Sequence, residues 1–392
     1  MVGTSRNLIV GLLAAGLFFA EFSLQAAEEK DQAKKPESKA DRIQLAILLD
    51  TSNSMDGLIN QARTQLWKIV NELATAKRNG QAPDLQVALY EYGKSSLSKD
   101  SGYLQQLVPL SDDLDKISEE LFALKTQGGQ EYCGQVIAAA TKELKWSESN
   151  EDLKLIFICG NEPFTQGELD YKKACSDAIA KGITVNTIFC GPRDQGVQTG
   201  WEQGALLADG SFLHIDQNQQ VAEIATPFDE KLTKLSSEVN KTYLAFGAAE
   251  ARKEVLERQV AQDRLAQAAA PAAGAERAAF KGSGRYRVGN QDLVDALADG
   301  KVKLAEIKEE ELPDELKKLS LKEREEHIAK KKVEREKIQK EIQDLSEKRK
   351  EYIAKKRREE AEAQGQNAEN TLDTAVIKAI RTQAEKKKFN LE

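Results

Sequence analysis

The chain of 392 residues has few histidines, few cysteines and no excess of positive charge. Its two histidines, His214 and His327, lie far apart in the sequence, which excludes a zinc site built mainly from imidazole ligands. With Lys+Arg 57 against Asp+Glu 64, the net charge is -7, so the chain lacks the basic excess with which a dedicated nucleic-acid binder neutralises phosphates. We therefore expect no nucleic-acid partner, and we expect any metal ion to be bound mainly by oxygen.

Long apolar runs are also scarce. The main one, LIVGLLAAGLFFA at 8–20, follows Arg6 and precedes the small pair Ala26-Ala27. This layout predicts a secretory signal peptide over residues 1–27, because the apolar run is shorter than the about 20 residues that span a bilayer. We expect an exported chain, periplasmic or secreted, with no stable membrane span once the signal is removed. Residues 28–41 are charged and lack large apolar side chains, which predicts a disordered linker.

Four cysteines, Cys133, Cys159, Cys175 and Cys190, lie in the middle of the chain. In an exported protein an even number is compatible with disulfides, and four cysteines allow three pairings. Because Cys175 falls in a predicted helix and Cys190 at the end of the strand that follows it, this pair is the favoured disulfide. The alternative is four buried free thiols that pack as small hydrophobic side chains.

Between residues 42 and 218, apolar strands alternate with amphipathic helices. Nearly continuous apolar strands such as IQLAILLD and LKLIFICG are typical of a parallel sheet covered on both faces. The strands at 85–92 and 104–110 are separated only by a polar loop, which predicts an antiparallel hairpin at a sheet edge. The predicted fold is an α/β domain with a doubly wound, mostly parallel sheet and one antiparallel edge strand.

Beyond residue 218, the composition predicts an α-helical, partly coiled-coil-like C-terminal region. Its predicted parts are a helical extension at 219–267, an alanine-rich linker at 268–284, a small helical unit at 285–320, a charged long helix or helical hairpin at 321–363 and a terminal helix at 364–392. Apolar residues of the charged segment fit a heptad seam, but Arg335 and Arg349 occupy other core positions of that seam. A solvated helix or hairpin with i,i+4 ion pairs is therefore favoured over a long dimeric coiled coil. Asp292 and Asp295 are explained by their place at a helix N-terminus.

Asp50, Ser52 and Ser54 form a D-x-S-x-S array in LLDTSNSMDG, directly after the first buried strand. In an open parallel sheet, ligands bind outside the carboxyl ends of the strands. One carboxylate and two hydroxyls aimed at a single point are hard oxygen donors suited to Mg²⁺, Mn²⁺ or Ca²⁺. The array therefore predicts a divalent-metal site at the sheet edge.

Here the sequence resembles the von Willebrand factor A domain family, over roughly residues 42–218. The metal-ion-dependent adhesion site of that family opens with the same array, so Asp50, Ser52 and Ser54 match its first metal-binding loop. The resemblance implies a doubly wound sheet with the metal at its edge and a partner's carboxylate completing the coordination.

The other two metal-binding loops depart from the family pattern. Where the family has G-G-x-T-x-T-G, the sequence reads GGQEYCG, with Glu131 in place of the ligand threonine and Cys133 in place of the second threonine. Where the family ends a central strand with Asp-Gly, the sequence reads FICGNEPF, with Cys159 in place of the aspartate. Glu131 would replace the lost carboxylate, and Asn161 and Glu162 are further oxygen candidates.

Two alternatives at these loops stay open. The site can lack a metal, with Glu131 solvated or capping the helix that it precedes. Cys133 and Cys159 can form a disulfide that links the two loops, or they can remain free thiols. The variant loops also resemble those of a group of exported bacterial proteins with a charged helical tail.

These features predict an exported, non-enzymatic protein-binding module. Its divalent ion, Mg²⁺ or else Mn²⁺ or Ca²⁺, would bind an acidic group of a protein partner at the sheet edge. The alternative is a metal-free envelope scaffold whose helical tail makes the contacts. A metal-dependent hydrolase is less favoured, because the sequence offers no Ser–His or Cys–His pair to supply a general base.

Overall fold

The computed structural model describes residues 41–215, 224–283, 286, 291–363 and 372–391. The predicted signal peptide and the predicted linker up to residue 40 lie outside the described residues. The described residues all belong to one compact unit.

Six strands form the sheet: β1 (Arg42–Asp50), β2 (Asp84–Tyr92), β3 (Leu104–Ser111), β4 (Leu153–Gly160), β5 (Thr184–Cys190) and β6 (Phe212–Ile215). Their order is β3-β2-β1-β4-β5-β6, and β3 alone is antiparallel to its neighbour. This confirms the predicted doubly wound sheet with one antiparallel edge strand. Because the strand order reverses between β1 and β4, the loops after these two strands border a crevice at the carboxyl edge of the sheet.

Side chains along each strand alternate between two hydrophobic clusters. Leu45, Ile47 and Leu49 of β1 belong to one cluster, whereas Ala46 and Leu48 belong to the other. The first, here called the α1 face, is covered by α1 (Ile59–Ala74) and α2 (Leu114–Ala123). The second, the α3 face, is covered by α3 (Cys133–Glu143), α4 (Tyr171–Ala180) and α6 (Trp201–Leu207), with the short α5 (Arg193–Gln198) leading into α6. Burial on both faces accounts for the continuous apolar runs in the strands.

The chain beyond the sheet is helical, as predicted. Its helices are α7 (Asp229–Asn240), α8 (Ala249–Ala269), α9 (Pro271–Gly282), α10 (Leu293–Ala298), α11 (Asp314–Lys317), α12 (Leu321–Ala363) and α13 (Leu372–Lys386). None of the described helices is both long enough and apolar enough to cross a membrane.

The alanine-rich segment at 268–284 is not a linker, so that prediction was wrong. Most of it forms α9, in which Ala273, Ala275 and Ala278 are buried in the same cluster as α1. Pro271, which suggested a break, stands in the first turn, where proline fits a helix. Alanine is also the best helix former, and its small side chain lets neighbouring helices pack closely against α9.

Helix α12 is a single helix of 43 residues rather than a hairpin, and it packs against α7 and α9. The prediction of a solvated helix was wrong for one face of α12, which is buried. Arg335 and Arg349 lie on this face and are only 5% and 6% exposed. The Arg335 guanidinium lies 2.8 Å from Asp292 and 2.9 Å from Asp295. Asp292 does cap α10, as its helix-terminal position suggested, but both aspartates also pair with this buried arginine.

The terminal helix α13 packs on the α1 face of the sheet. Gln383 exchanges two buried hydrogen bonds, of 3.0 and 2.6 Å, with Asn186 of β5. The Arg381 guanidinium lies 2.8 Å from the Glu72 carboxylate of α1, and Phe389 beyond the helix is fully buried. The C-terminal region therefore completes the cover of the sheet instead of extending away from it as a tail.

Candidate functional site

Asp50 ends β1 with a fully buried carboxylate. Its Oδ1 accepts a hydrogen bond of 2.8 Å from the backbone N–H of Ser52, whereas its Oδ2 is buried without a hydrogen-bond partner among the described residues. Burial raises the pKa of Asp50 to about 7, hydrogen bonds from Ser52 oppose the rise, and the nearby Glu131 carboxylate adds to it. A buried carboxylate oxygen without a partner needs a proton or a cation, because its desolvation is otherwise uncompensated.

The two serines of the array lie beside this carboxylate. Ser52 Oγ and Ser54 Oγ are 2.9 Å apart. Ser54 Oγ donates to Asn161 Oδ1 at 2.9 Å, and Asn161 Nδ2 donates to the Ser54 carbonyl at 3.0 Å. These bonds join the loop after β1 to the loop after β4, which is the crevice that the strand order places at this edge.

Glu131, just before α3, also reaches the site, and only 6% of it is exposed. Its backbone N–H donates to Gln166 Oε1 at 2.8 Å. Burial raises the pKa of Glu131 to about 7, the Glu162 carboxylate raises it further, and a hydrogen bond with Ser52 opposes the rise. The solvated alternative for Glu131 is therefore wrong, and its side chain does not cap α3.

Glu162 is half-buried and borders the site. Its carbonyl accepts a hydrogen bond of 2.8 Å from the indole N–H of Trp201, which is fully buried at the start of α6. The same loop continues into the lining of a pocket of about 830 Å³ between α4 and α6, beside the exposed side chain of Leu206. The structure thus brings the predicted oxygen donors together and places a recess next to them.

A larger cavity, of about 1370 Å³, lies between α1, α9, α12 and α13. Its lining includes Ala76 and Ala82 of the connection between α1 and β2, at the amino edge of the sheet. The residues of the D-x-S-x-S array do not line it. Cavity size therefore does not identify the site, whereas the donor atoms at the carboxyl edge do.

Two glycines that the sequence analysis missed leave room for Asp50. Gly93 follows β2 with φ +89°, and a Cβ there would lie 2.6 Å from Asp50 Oδ1. A Cβ at Gly160 would lie 2.6 Å from the Tyr92 hydroxyl and 3.0 Å from Asp50 Cβ. Their sequence signal was a glycine directly after, or at the end of, a buried strand.

The substitution Gly93→Ala is expected to lower the free energy of unfolding by about 1–3 kcal/mol, because it adds backbone strain and a clash with Asp50. Gly57→Ala is the matched control: Gly57 lies in the loop after β1 with φ +81°, and a Cβ there meets nothing within 4 Å. Urea denaturation of both variants measures the difference. An equal loss in the two would show that the space beside Asp50 is unimportant.

All four cysteines are buried, no disulfide joins any two of them in the structure, and the favoured Cys175–Cys190 pairing was wrong because of where the two side chains lie. Cys175 packs on the α3 face and Cys190 on the α1 face, so the sheet lies between their side chains. The same separation excludes the Cys133–Cys159 alternative. The sulfurs that approach each other are those of Cys159 and Cys190, at 3.3 Å.

The chemistry of the donor atoms at this edge determines which cation they fit. In the part of the chain that the structure describes, no group of three or more His, Cys, Asp or Glu side chains is arranged to hold a metal ion. The edge instead combines two buried carboxylates with two hydroxyls, and one carboxylate oxygen lacks a partner. All of these are hard oxygen donors, so the residues fit Mg²⁺, Mn²⁺ or Ca²⁺ rather than a metal that prefers sulfur or imidazole.

The fold and this edge define a class: doubly wound α/β domains with a ligand-binding crevice where the strand order reverses. Residues 44–200 match the model of the von Willebrand factor type A domain, which confirms the resemblance to that family for this part of the chain. No curated protein sequence matches the chain.

Several solved structures resemble the domain at low identity. Proximal thread matrix protein 1 from the mussel byssus, described with a zinc-occupied MIDAS motif, is 13% identical, with 46% of this chain and 43% of that chain covered and a TM-score of 0.35. BatB from Bacteroides thetaiotaomicron is 14% identical, with coverages of 57% and 99% and a TM-score of 0.34. A von Willebrand factor type A protein from Catenulispora acidiphila is 14% identical, with coverages of 47% and 41% and a TM-score of 0.33. The chain thus spans less than half of the mussel protein, and TM-scores this low support no conclusion about metals or partners.

Proposed function

We propose that the domain at residues 42–218 is a protein-binding module that holds a divalent ion at its carboxyl edge. Asp50, Ser52, Ser54 and Glu131 would hold the ion, with Asn161 and Glu162 as further oxygen donors. The observation that carries the proposal is the buried Asp50 Oδ2, which has no hydrogen-bond partner among the described residues. A cation would satisfy this oxygen and neutralise the two carboxylates that burial has brought together.

The charge balance supports an acidic partner. A divalent ion offsets the two negative charges of Asp50 and Glu131, so a further carboxylate meets no net repulsion from these three charges. Mg²⁺ rarely fills its coordination shell from the protein alone and keeps positions for water or ligands. When bound, the ion would offer such a position to a carboxylate of a partner protein. The recess beside Leu206 would receive a neighbouring part of that partner.

We propose a binding role rather than a catalytic one. The nucleophilic form of cysteine is the thiolate. Burial raises the pKa of the Cys133 thiol well above its usual value, and the nearby carboxylate of Asp50 raises it further. The thiol of Cys133, two residues after Glu131, is therefore held in its unreactive protonated form.

We also propose that the chain is exported and acts in the periplasm or outside the cell. The support is the sequence pattern at residues 1–27, together with the resemblance of the loops GGQEYCG and FICGNEPF to those of exported bacterial proteins. In this setting Mg²⁺ or Ca²⁺ would be the ion at the site.

Isothermal titration of the full chain with Mg²⁺, Mn²⁺ and Ca²⁺ tests the metal site. We expect binding of at least one ion, lost in Asp50→Ala and weakened at least about tenfold in Glu131→Gln, because each substitution removes a charged oxygen donor. Absence of binding in the parent chain would overturn the metal mechanism.

Glu168→Gln is the matched control for this titration. Glu168 is exposed and lines the neighbouring recess. It carries the same negative charge as Glu131 but is not one of the proposed donors. Its removal should leave ion binding unchanged within a factor of about two, as expected for an exposed charge screened by solvent. A loss as large as that of Glu131→Gln would mean that the general negative potential of the edge, rather than the proposed donors, holds the ion.

A metal-free scaffold is the second candidate, and one observation favours it. With pKa values of about 7, Asp50 and Glu131 could each hold a proton and remain neutral in the folded chain without an ion. Under this alternative, Asp50→Asn should leave partner binding unchanged, since a neutral amide replaces a neutral carboxyl. Under the metal mechanism, the same substitution should abolish metal-dependent binding.

A further inference from the structure

We propose that Cys159 and Cys190 form a disulfide that ties the end of β4 to the end of β5, directly behind the candidate site. Their sulfurs lie 3.3 Å apart, and both residues are buried. A disulfide bond is about 2.05 Å long, so the sulfurs need to approach by only about 1.3 Å.

The register of the sheet explains why these two side chains meet. β4 and β5 are neighbouring parallel strands, and Cys159 pairs with Ile188. Cys190 stands two residues further along β5, so its side chain points to the same side of the sheet as that of Ile188. Both cysteines therefore belong to the α1 face, whereas Cys133 and Cys175 pack on the α3 face. The sheet thus excludes a disulfide between the two faces and leaves Cys159–Cys190 as the pair on the α1 face.

The chemistry is a two-electron oxidation. Each thiol loses one proton, one bond forms between the two Sγ atoms, and two electrons pass to a disulfide oxidant such as glutathione disulfide or an oxidised dithiol protein, which is reduced to two thiols. Thiol–disulfide exchange requires a thiolate. Both cysteines are buried in the folded chain, where an oxidant or a reductant cannot reach their sulfurs. The bond should therefore form during folding in an oxidising compartment, before the strands are buried, and should then resist reduction.

The bond would hold the loop after β4, which contributes to the site. Gly160 and Asn161 follow Cys159 directly, and Asn161 bonds to Ser54 of the array. The Cys159 carbonyl also accepts a hydrogen bond of 3.1 Å from the hydroxyl of Tyr92, at the end of β2. A bond from Cys159 to β5 would hold the end of β4 from a second side. It would thereby keep Asn161 in place beside Ser54.

Mass spectrometry of the full chain, refolded with a mixture of reduced and oxidised glutathione, tests the pairing. The chain is denatured and alkylated without reductant, then digested. We expect one peptide pair that joins Cys159 to Cys190 and has lost two hydrogens, with Cys133 and Cys175 fully alkylated. Alkylation of all four cysteines, or a different linkage, would overturn the proposal.

Thermal unfolding of the same material gives a second readout. Reduction should lower the Tm by about 5–10 °C, since the bond closes a loop with a sequence separation of 31 residues and restricts the unfolded chain. The variant Cys190→Ser should lose this response, and Cys175→Ser, a buried cysteine on the other face, should keep it. An equal response in the two variants would overturn the proposal. If Cys190→Ser does not fold, the mass-spectrometric linkage in the parent chain alone decides whether the disulfide exists. Neither measurement depends on a metal ion, so the proposed function can fail while the disulfide is found.

Discussion

Replacing Arg277 with Met is expected to lower the free energy of unfolding by about 3–5 kcal/mol, because it leaves buried carboxylates without their cation. Arg277 of α9 is 1% exposed. Its Nη1 lies 2.5 Å from Asp115 Oδ1 of α2, and its Nε lies 3.3 Å from Asp263 Oδ1 of α8. One side chain thus joins the helical region to a helix of the sheet domain.

The surrounding network is charge-balanced and fully buried. Lys281 Nζ lies 2.6 Å from Asp263 Oδ2, which gives two cations and two anions. Burial lowers the pKa of Lys281 to about 8, and the charge of Arg277 lowers it further, while Asp263 opposes the change. Burial alone would raise the pKa of Asp115, but Arg277 brings it below its usual value. Asp115 therefore remains charged, and it depends on Arg277.

Urea denaturation measures this effect, with Arg258→Met as the matched control. Arg258 joins the same helices, α8 and α2, through Asp113 and Glu119, but its side chain is 25% exposed. These ion pairs are partly exposed to solvent, and solvent-exposed pairs contribute about 0–1 kcal/mol, so the control should lose less stability than Arg277→Met. Similar losses in both variants would mean that burial of the Arg277 network is not what stabilises the junction.

A double variant distinguishes the cost of an unpaired charge from the loss of packing. Adding Asp115→Leu to Arg277→Met removes one charge of each sign and leaves the Asp263–Lys281 pair intact. The double variant should recover part of the lost stability, because removing both partners of a buried pair costs less than removing one. A loss equal to the sum of the two single variants would contradict this explanation.

The metal-free chain is expected to become more stable as the pH falls from about 8 to about 5.5, by roughly 2 kcal/mol from Asp50 alone. The folded pKa of Asp50 is about 7, raised from 3.8, and that of Glu131 is about 7, raised from 4.5. Because the folded pKa values lie above the unfolded ones, the native state binds protons first. The cost of burying these carboxylates is therefore largest above pH 7 and disappears as the pH approaches the unfolded values.

A divalent ion should reverse this trend. At the higher pH the ion binds the two deprotonated carboxylates and stabilises only the folded chain, whereas at the lower pH protons compete with it. Thermal unfolding with and without Mg²⁺ across this range measures both effects. Asp50→Asn should remove the part of the pH dependence that comes from Asp50, leave the part that comes from Glu131, and lose the stabilisation by the ion. A parent chain whose stability rises with pH in the absence of metal would contradict the raised pKa values.

The fold of the sheet domain was predictable because its signals are local. Apolar strands with helices between them specify a covered parallel sheet, and the polar connection between β2 and β3 specifies the hairpin. The helical region was harder to predict. Its buried arginines and aspartates look like solvated charges in the sequence, and α9 looks like a linker, because alanine, proline and glycine serve both purposes.

At the site, the array from Asp50 to Ser54 could be found from the sequence, since three donors lie within five residues of one strand end. The burial of Glu131 and the space left by Gly93 could not. Each depends on another loop that approaches Asp50 from a distant part of the chain. The approach of Cys159 to Cys190 was missed for the same reason, because a strand does not show in its sequence which face of the sheet each side chain meets.

The sequence by itself determined the elements of the sheet domain, the order in which they alternate and the chemistry of the first donor loop, since periodicity and strand-end position are properties of neighbouring residues. Only the tertiary structure decided that α13 covers the sheet, that Arg277 bridges two regions and that Cys159 meets Cys190. Each of these contacts joins residues far apart in the chain. Each forms because the packed chain buries the two residues together or pairs their charges.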